Sequence, residues 1–289
     1  MDIVFKNYKH EYYNLVINFL IELNKYDKTH INWNWARFEW MYYHPEFDQC
    51  SLDKIGLWFC DGKVVGASIY DMYFGEGAIL VLPGFEFLYQ EILDYSYNNL
   101  SDENGFSFAV NDKDYNLLDL IYNNSLNKID NKETLMAIKL NYNFEYNLNN
   151  EFKIEEFDFL DDPVNIQWLF FQGFDHGDNK DEFLKEVVDI KANRDHFNKK
   201  LSLVVKKNDE MIAYVSAWYI EGLDYAYLEP LCVIPKYRKM GLAKSLLYEL
   251  FNRLKSMGAS KLYVISDMEF YKKIGFVIEE KYTFYNKNK

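Results

Sequence analysis

The hydrophobic pattern of the chain is most regular between residues 225 and 266. Residues 225–234 are rich in aromatic and β-branched side chains, which predicts a buried strand. Leucines then recur at every fourth position and neighbouring apolar residues widen the stripe, which predicts an amphipathic helix that ends at Gly258. The stripe consists of Leu242, Ala243, Leu246, Leu247, Leu250, Phe251 and Leu254. Residues 261–266 form the next predicted strand, so residues 235–241 are a strand-to-helix turn.

This turn is basic, although the chain of 289 residues has a formal net charge of -13. The first turn of a helix has backbone N–H groups without intrahelical partners and a partial positive charge. Gly241 and Ala243 have little side chain, so a phosphate could approach the backbone there, and Arg238 and Lys239 supply positive charge. The pattern favours a diphosphate site. The alternative is an ordinary helix start with a solvated basic turn.

Two segments carry a resemblance to a known family. Residues 231–247, Leu-Cys-Val-Ile-Pro-Lys-Tyr-Arg-Lys-Met-Gly-Leu-Ala-Lys-Ser-Leu-Leu, resemble the acyl-CoA-binding motif of the GNAT acyltransferases. Residues 270–276, Phe-Tyr-Lys-Lys-Ile-Gly-Phe, resemble the late helix-to-strand segment of that family. The resemblance extends over residues 150–289. It departs from the pattern of many members at Ala243, where they carry glycine, and at Asp267, near where they place asparagine.

The resemblance implies that the chain uses acetyl-CoA as a cosubstrate and needs no metal. In the family fold two parallel strands splay apart, and the pantetheine arm pairs with the exposed strand edge. Backbone groups of Leu231 and Val233 would be its partners here. The diphosphate would bind the turn that consists of Arg238, Lys239, Met240, Gly241, Leu242, Ala243, Lys244 and Ser245.

Two side chains are candidates for proton transfer. Strand alternation places Glu229 on the same face as Leu231 and Val233, and it is the candidate base that deprotonates the acceptor ammonium group, whose pKa is about 10. A structural salt bridge is the alternative for Glu229. Tyr271 matches the family tyrosine that protonates the leaving CoA thiolate. Its alternative is one more core tyrosine among 25.

The N-terminal half repeats the order of elements in the C-terminal half. Residues 63–68 follow a predicted turn as residues 210–215 do, and residues 78–83 correspond to residues 231–235. No Lys or Arg occurs from Val64 to Asp112, and Glu86 lies in the turn after Pro83. We therefore expect this copy not to bind CoA. An unrelated α/β domain is the alternative.

These patterns predict an α/β fold with two tandem GNAT-like domains, each a mixed central sheet with flanking helices. Residues 1–147 would be a degenerate copy without the diphosphate turn, and residues 150–289 the catalytic N-acetyltransferase domain, with a polar linker between them. Residues 1–150 carry 11 Lys/Arg and 22 Asp/Glu, a net charge of -11, whereas residues 151–289 carry 21 and 23, a net charge of -2. Nucleic acid and anionic membranes are therefore not expected partners.

Composition narrows the class of protein further. No apolar run reaches the roughly 18 residues that would span a bilayer, and the N-terminus lacks a secretory signal pattern, so we predict a cytoplasmic protein. The three cysteines, Cys50, Cys60 and Cys232, are not spaced as metal pairs, and they indicate neither a disulfide framework nor a zinc site. A metal at Asp175, His176 and Asp178 has no further support in the sequence, and we reject it.

The expected acceptor is a primary amine of a small molecule or peptide. Residues 168–174 predict an amphipathic helix, and the polar turn that follows could line a pocket or simply lie on the surface. Arg37 lies in a cluster of three tryptophans, which is either an aromatic wall for a cation or, as we favour, an interdomain core in which Arg37 pairs with an acid. The alternatives to an enzyme are an acyl-CoA-binding regulatory or scaffolding protein and an interaction protein without CoA affinity. The sequence leaves open whether the protein is a monomer or a homodimer.

Overall fold

The computed structural model describes residues 2–26, 28–188 and 195–289. Contacts divide the chain into two compact units, each of which takes residues from both halves of the sequence. The first unit comprises Met1–Leu135, Ile265–Asp267 and Ile278–Lys289, and the second comprises Met136–Val264 and Met268–Val277. Among the helices of the described ranges, none has the length and apolar character needed to cross a membrane.

Strands and helices alternate along the chain. In chain order the elements are β1 (Ile3–Asn7), α1 (Tyr13–Tyr26), α2 (Trp35–Tyr42), β2 (Gly56–Cys60), β3 (Lys63–Asp71), β4 (Tyr73–Val81), α3 (Tyr89–Asn99), β5 (Phe106–Asn111), α4 (Tyr115–Asn123), β6 (Asn127–Lys139), β7 (Lys153–Glu156), α5 (Pro163–Gly173), α6 (Lys180–Glu186), β8 (Ser202–Lys207), β9 (Glu210–Trp218), β10 (Tyr225–Val233), α7 (Leu242–Ser256), β11 (Lys261–Ile265), α8 (Glu269–Ile274) and β12 (Val277–Lys287).

The first unit is built on a mixed sheet with the strand order β1-β2-β3-β4-β5-β12. Neighbouring strands are antiparallel except β4 and β5, which run parallel and are connected by α3. Ile92 and Leu93 of α3 are fully buried, and this helix packs on β3 and β4. β12 occupies the place beside β5, with its register running from Tyr282↔Asn111 to Lys287↔Phe106.

The second unit repeats this arrangement with β7-β8-β9-β10 and the parallel strand β11, and the end of β6 lies on the other side of β11. The helix α7 connects β10 to β11 and packs on β8, β9 and β10. The predicted leucine stripe is its buried face. Leu242, Leu246, Leu247, Leu250, Phe251 and Leu254 are in the core, and Ala243 is half-buried.

The prediction of an α/β protein with mixed sheets and flanking helices is therefore confirmed. The strand β6 begins at Asn127, well before the apolar residues at its end. Its first eight residues are mostly polar, so they have no apolar pattern, and they form a strand because neighbouring strands satisfy their backbone. The domain boundary at residues 147–150 stays a prediction from the sequence repeat, while the compact units divide at Leu135 and exchange their last strands.

The tryptophan cluster lies in the first unit and is divided between two elements. Trp33 ends a 3-10 turn, and Asn34 caps α2 by accepting hydrogen bonds from the backbone of residues 36 and 37. The guanidinium of Arg37 lies 4.5 Å from the Trp33 ring and makes ion pairs of 2.8 Å with both Asp71 and Glu133. The predicted pairing of Arg37 with an acid therefore agrees with the structure, but the expectation of an interdomain core was wrong, because Arg37 and both acids lie in the first unit.

Candidate functional site

The candidate site lies in the second unit, where β10 and β11 diverge. These parallel strands pair at Tyr225↔Lys261, Ala226↔Leu262 and Tyr227↔Tyr263, and they form no further pair among the described residues. The pairing of β10 with β9 is irregular between Leu228 and Leu231. The second half of β10 therefore has one edge that β11 does not cover.

Leu231 and Val233 direct their backbone groups toward this uncovered edge. Just after β10, the Ile234 N–H donates to the Ile212 carbonyl at 3.0 Å, on the side of β9. Backbone groups of successive strand residues alternate in direction, so Cys232 also faces β9 and its two neighbours face away from it. Both neighbours are half-buried. The two residues predicted to pair with pantetheine thus have the required backbone direction.

A row of open backbone N–H groups follows β10. The backbone is left-handed at Lys239 (φ 64°) and Gly241 (φ 83°), and α7 then begins without a side-chain cap. Within the described residues, no acceptor bonds to the N–H groups of residues 239–244, and the first bond of this region joins Ser245 N–H to the Gly241 carbonyl at 3.0 Å. A Cβ at Gly241 would have no atom within 4 Å, so the space in front of these amides is open.

Two residues of the predicted diphosphate turn have buried side chains. The side chains of Leu242 and Ser245 lie in the core, 2% and 4% exposed respectively. Leu242 still offers its N–H group, whereas the N–H of Ser245 already bonds to Gly241. The open set is therefore Lys239, Met240, Gly241, Leu242, Ala243 and Lys244, and we call it the amide row.

Arg238 precedes the amide row and forms hydrogen bonds to other segments of the second unit. Its Nε donates to the Val233 carbonyl at 3.0 Å, and its Nη2 donates to the Gly173 carbonyl at 2.9 Å and to Asp175 Oδ2 at 3.0 Å. Nη2 also lies 3.0 Å from the other oxygen of Asp175. In the described part of the chain, Nη1 has no acceptor of this kind. The sequence indicated the positive charge of Arg238 but could not indicate its hydrogen bonds. Two of its partners lie more than sixty residues upstream, and Asp175 is separated from it by 63 residues.

Glu229 lies on β10 where the pairing with β9 is irregular, and its charge acts on the phenol of Tyr271. Tyr271 lies on α8, is 8% exposed and packs against Phe270 and Phe276 with ring centroids at 5.2 and 5.3 Å. Burial, and then the negative charge of Glu229, raise the pKa of Tyr271 above its ordinary value of 10.0. The phenol therefore keeps its proton at neutral pH.

Sequence reasoning missed the groups that fix the backbone at Glu229. Its carbonyl accepts hydrogen bonds from Ser216 Oγ and, at 3.1 Å, from Trp218 Nε1, both on β9. These donors hold β10 at its irregular position. Their only signal in the sequence is a polar residue two positions before a tryptophan within a strand, which is too common to indicate a role.

The end of α5 packs against β10 at Cys232. A Cβ at Gly173 would lie 2.8 Å from both Cβ and Sγ of Cys232, so only glycine fits at this contact. Burial raises the pKa of the Cys232 thiol to about 12, so the thiol stays protonated. The polar turn after α5 is ordered by bonds from the N–H groups of Phe174, Asp175 and His176 to carbonyls of α5.

The corresponding turn of the first unit has an anion of its own. Gly84 is left-handed (φ 92°), and its N–H donates to Glu86 Oε1 at 2.9 Å and Oε2 at 3.0 Å. The strands β4 and β5 also pair at only two positions, Glu76↔Ser107 and Gly77↔Phe108. This unit therefore keeps the diverging strands, but a carboxylate of the chain binds the amide at which a phosphate would have to bind.

No cluster of three or more His, Cys, Asp or Glu residues in the described ranges could hold a metal ion. His176, considered as a metal ligand in the sequence, packs on the Phe171 ring with the centroids 5.9 Å apart.

Comparison with known proteins finds a family model that matches part of the chain. Residues 160–276 match the model of the acetyltransferase (GNAT) family. Among curated proteins, none matches this chain.

Several solved structures share the fold along almost the whole chain. A tandem GNAT protein from the clavulanic acid biosynthesis pathway is 10% identical, with a TM-score of 0.62 over 99% of this chain and 98% of its own. A GCN5-related N-acetyltransferase from Sphaerobacter thermophilus is 12% identical, with a TM-score of 0.59 over 99% of this chain and 95% of its own. A GNAT-family acetyltransferase from Colwellia psychrerythraea is 14% identical, with a TM-score of 0.58 over 99% of this chain and 100% of its own. At these identities the similarity shows the fold.

Proposed function

Because residues 160–276 of this chain match the model of the acetyltransferase (GNAT) family, we propose that it transfers an acetyl group from acetyl-CoA directly to a primary amine of a small molecule or peptide. The amide row beside the uncovered edge of β10 is the observation that carries this proposal. Successive N–H groups at a helix start bind phosphate oxygens, and an open strand edge offers backbone groups to the amides of pantetheine. Acetyl-CoA contains both kinds of group.

The uncovered edge also supplies a hydrogen-bond donor for the carbonyl oxygen of the thioester. A backbone N–H of Leu231 or Val233 that points into the gap can donate to the thioester oxygen. This bond becomes stronger as the oxygen gains negative charge in the tetrahedral intermediate. Because the donor belongs to the backbone, replacing either side chain would leave it in place.

Glu229 and Tyr271 perform the proton transfers. Glu229 accepts a proton from the acceptor ammonium, and the free amine then attacks the thioester carbon, so that a C–N bond forms and the C–S bond breaks. Tyr271 gives its proton to the departing sulfur, and the nitrogen of the tetrahedral intermediate loses its extra proton to the phenolate, so the products are a neutral amide and a free thiol. The raised pKa of Tyr271 keeps the phenol protonated before the reaction. A phenol is already a weaker acid than a thiol and the shift widens this difference, so the proton moves as the intermediate collapses, when the sulfur is most basic.

The first unit acts as a non-catalytic partner in this proposal. The carboxylate of Glu86 on Gly84 N–H gives its turn a negative charge, and a diphosphate would be repelled there. We therefore expect one acetyl-CoA per chain, bound to the second unit.

Release of free thiol from acetyl-CoA, measured across polyamines, aminoglycosides, amino acids and peptides, tests the activity. We expect thiol release to depend on one class of amine, and we expect Glu229→Gln and Tyr271→Phe to lower kcat about 100- to 10,000-fold. Tyr282→Phe is the matched control. Tyr282 is a buried tyrosine whose pKa burial also raises, but it lies in the first unit.

The outcome separates the enzyme from its alternatives. Binding of CoA without thiol release for any amine would favour an acyl-CoA-binding regulatory protein. Calorimetry without any heat of CoA binding would refute both and leave an interaction protein. A Tyr282→Phe variant as slow as Tyr271→Phe would remove Tyr271 from the mechanism.

A further inference from the structure

Arg238 connects three segments of the second unit. Its guanidinium bonds to the end of β10 through the Val233 carbonyl and to the turn after α5 through the Gly173 carbonyl and Asp175. Arg238 itself immediately precedes the amide row. The same side chain therefore joins the strand edge, the amide row and the turn formed by residues 173–178, which we call the α5 turn.

The planar guanidinium fixes the direction of these bonds. Nε and Nη2 donate to protein acceptors, and Nη1 is left with no acceptor of this kind among the described residues. A guanidinium whose other donors are bonded presents its last nitrogen at a fixed angle. A lysine at this position would supply the charge but not this geometry.

We propose that Arg238 is a positioning residue that couples diphosphate binding to the order of the α5 turn. This proposal rests on the proposed function, because it requires CoA to bind at the amide row. An oxygen of the diphosphate that bonds to Nη1 immobilises the guanidinium. The bonds from Nη2 to Gly173 and Asp175 then become more persistent, and the α5 turn opens less often.

Linkage makes this coupling reciprocal. If CoA stabilises the bond between Arg238 and Asp175, that bond must strengthen CoA binding by the same factor. The side chain of Arg238 is 40% exposed and that of Asp175 is 62% exposed, so the factor is limited. An exposed ion pair of this kind corresponds to a factor of about five at most.

The competing explanation predicts the opposite sign. If the Asp175 carboxylate only neutralises Arg238, it competes with the diphosphate for the guanidinium. Asp175→Asn would then make CoA bind more tightly. Under the coupling proposal, Asp175→Asn weakens CoA binding up to about fivefold.

Hydrogen exchange provides a readout that affinity alone does not. The N–H groups of Phe174, Asp175 and His176 bond to carbonyls of α5 at 2.9, 3.1 and 2.9 Å, so their exchange reports opening of the α5 turn. We expect saturating CoA to slow exchange of these amides in the wild-type protein by about fivefold, the factor set by the ion pair. In Asp175→Asn and Arg238→Lys, saturating CoA should no longer slow it.

Lys239→Met is the matched control, because it removes one positive charge from the same turn without breaking a bond to the α5 turn. It should weaken CoA binding, yet at saturation the α5 turn should still become protected. Three results would overturn the coupling: unchanged exchange in the wild-type protein, protection that persists in Arg238→Lys, or tighter CoA binding by Asp175→Asn. Absence of CoA binding to the wild-type protein would instead refute the proposed function.

Discussion

Replacing Gly241 by alanine tests the amide row with a matched control in the same chain. Gly241 and Gly84 occupy corresponding turns of the two units, and both are left-handed, with φ of 83° and 92°. At both positions a Cβ would have no atom within 4 Å. Neither substitution causes a clash, so the two variants do not differ in packing. They differ in the neighbouring N–H groups, which are open beside Gly241 and bonded to Glu86 at Gly84.

Both substitutions should cost the fold the same amount. An L-residue in a left-handed conformation is less stable than glycine by about 1 kcal/mol, because its Cβ approaches the following carbonyl. We therefore expect urea denaturation to give a free energy of unfolding about 1 kcal/mol below wild type for Gly241→Ala and for Gly84→Ala.

Only Gly241→Ala should weaken CoA binding. The added methyl group occupies the open space in front of the amide row and keeps a phosphate oxygen from at least one N–H group. A hydrogen bond to a charged group contributes about 1.5–3 kcal/mol, which corresponds to a loss of roughly 10- to 100-fold in affinity. In Gly84→Ala the corresponding turn is bonded to Glu86, so CoA affinity should equal that of wild type.

Calorimetric titration with CoA at one salt concentration measures both variants. Equal dissociation constants for Gly241→Ala and wild type would show that the amide row does not hold the diphosphate. A comparable loss in Gly84→Ala would show that the first unit also binds CoA, contrary to the assignment of Glu86 as an internal anion.

Three further predictions concern stability. Burial raises the pKa of Glu76 to about 7, so its carboxyl group stays protonated in the fold at a pH where the unfolded chain, with a pKa of 4.5, ionises it. The stability that this group contributes is complete below about pH 4.5 and is lost as the pH rises through 7. Urea denaturation should therefore give Glu76→Gln a free energy of unfolding higher than that of wild type at about pH 8, by on the order of 2 kcal/mol, and equal to it at about pH 4. Equal free energies of unfolding for the two proteins at both pH values would contradict this prediction. Arg37→Met leaves two nearly buried carboxylates without their partner and should cost about 3–5 kcal/mol, of which Glu133→Gln in the same chain should restore a part; strictly additive losses would exclude the pairing. Burial raises the pKa of Tyr271 and of Tyr282. The stability that each tyrosine contributes is therefore complete below about pH 10 and falls above it by about 1.4 kcal/mol per pH unit. In a pH titration, the phenolate absorbance of these two residues should appear together with unfolding instead of near pH 10.

The parts of the fold that local pattern determines were predicted closely. The helix expected from Leu242 to just before Gly258 is α7, Leu242–Ser256, and the strands expected at residues 225–234 and 261–266 are β10 and β11 within one residue at each end. These elements have a buried face with a regular period, and Gly258 in a left-handed conformation follows the helix, so their signals lie within the elements themselves.

The strand exchange was not predicted, because no local signal encodes it. β6 and β12 follow the same kind of helix in the two repeats, so either could lie beside β5 by sequence order. The structure pairs β12 with β5, and the contacts that help to hold it there include bonds from Asn111 and Lys113 to Glu280. These partners are separated by 169 and 167 residues, and neither residue type is unusual on a strand or in a turn.

The two turns differ in how much of their chemistry the sequence contains. In the first unit the anion comes from Glu86, two residues after Gly84, so the sign of the local charge indicated that this turn would not accept a phosphate. In the second unit the local charge indicated an anion site, but the role of Arg238 depends on an acid 63 residues away. A turn with open N–H groups can bind an anion, and the local sequence indicates whether the chain itself supplies one. The local sequence does not reveal that Arg238 is bonded to Gly173 and Asp175. These bonds depend on the packing of α5 against β10, and that packing requires glycine at position 173.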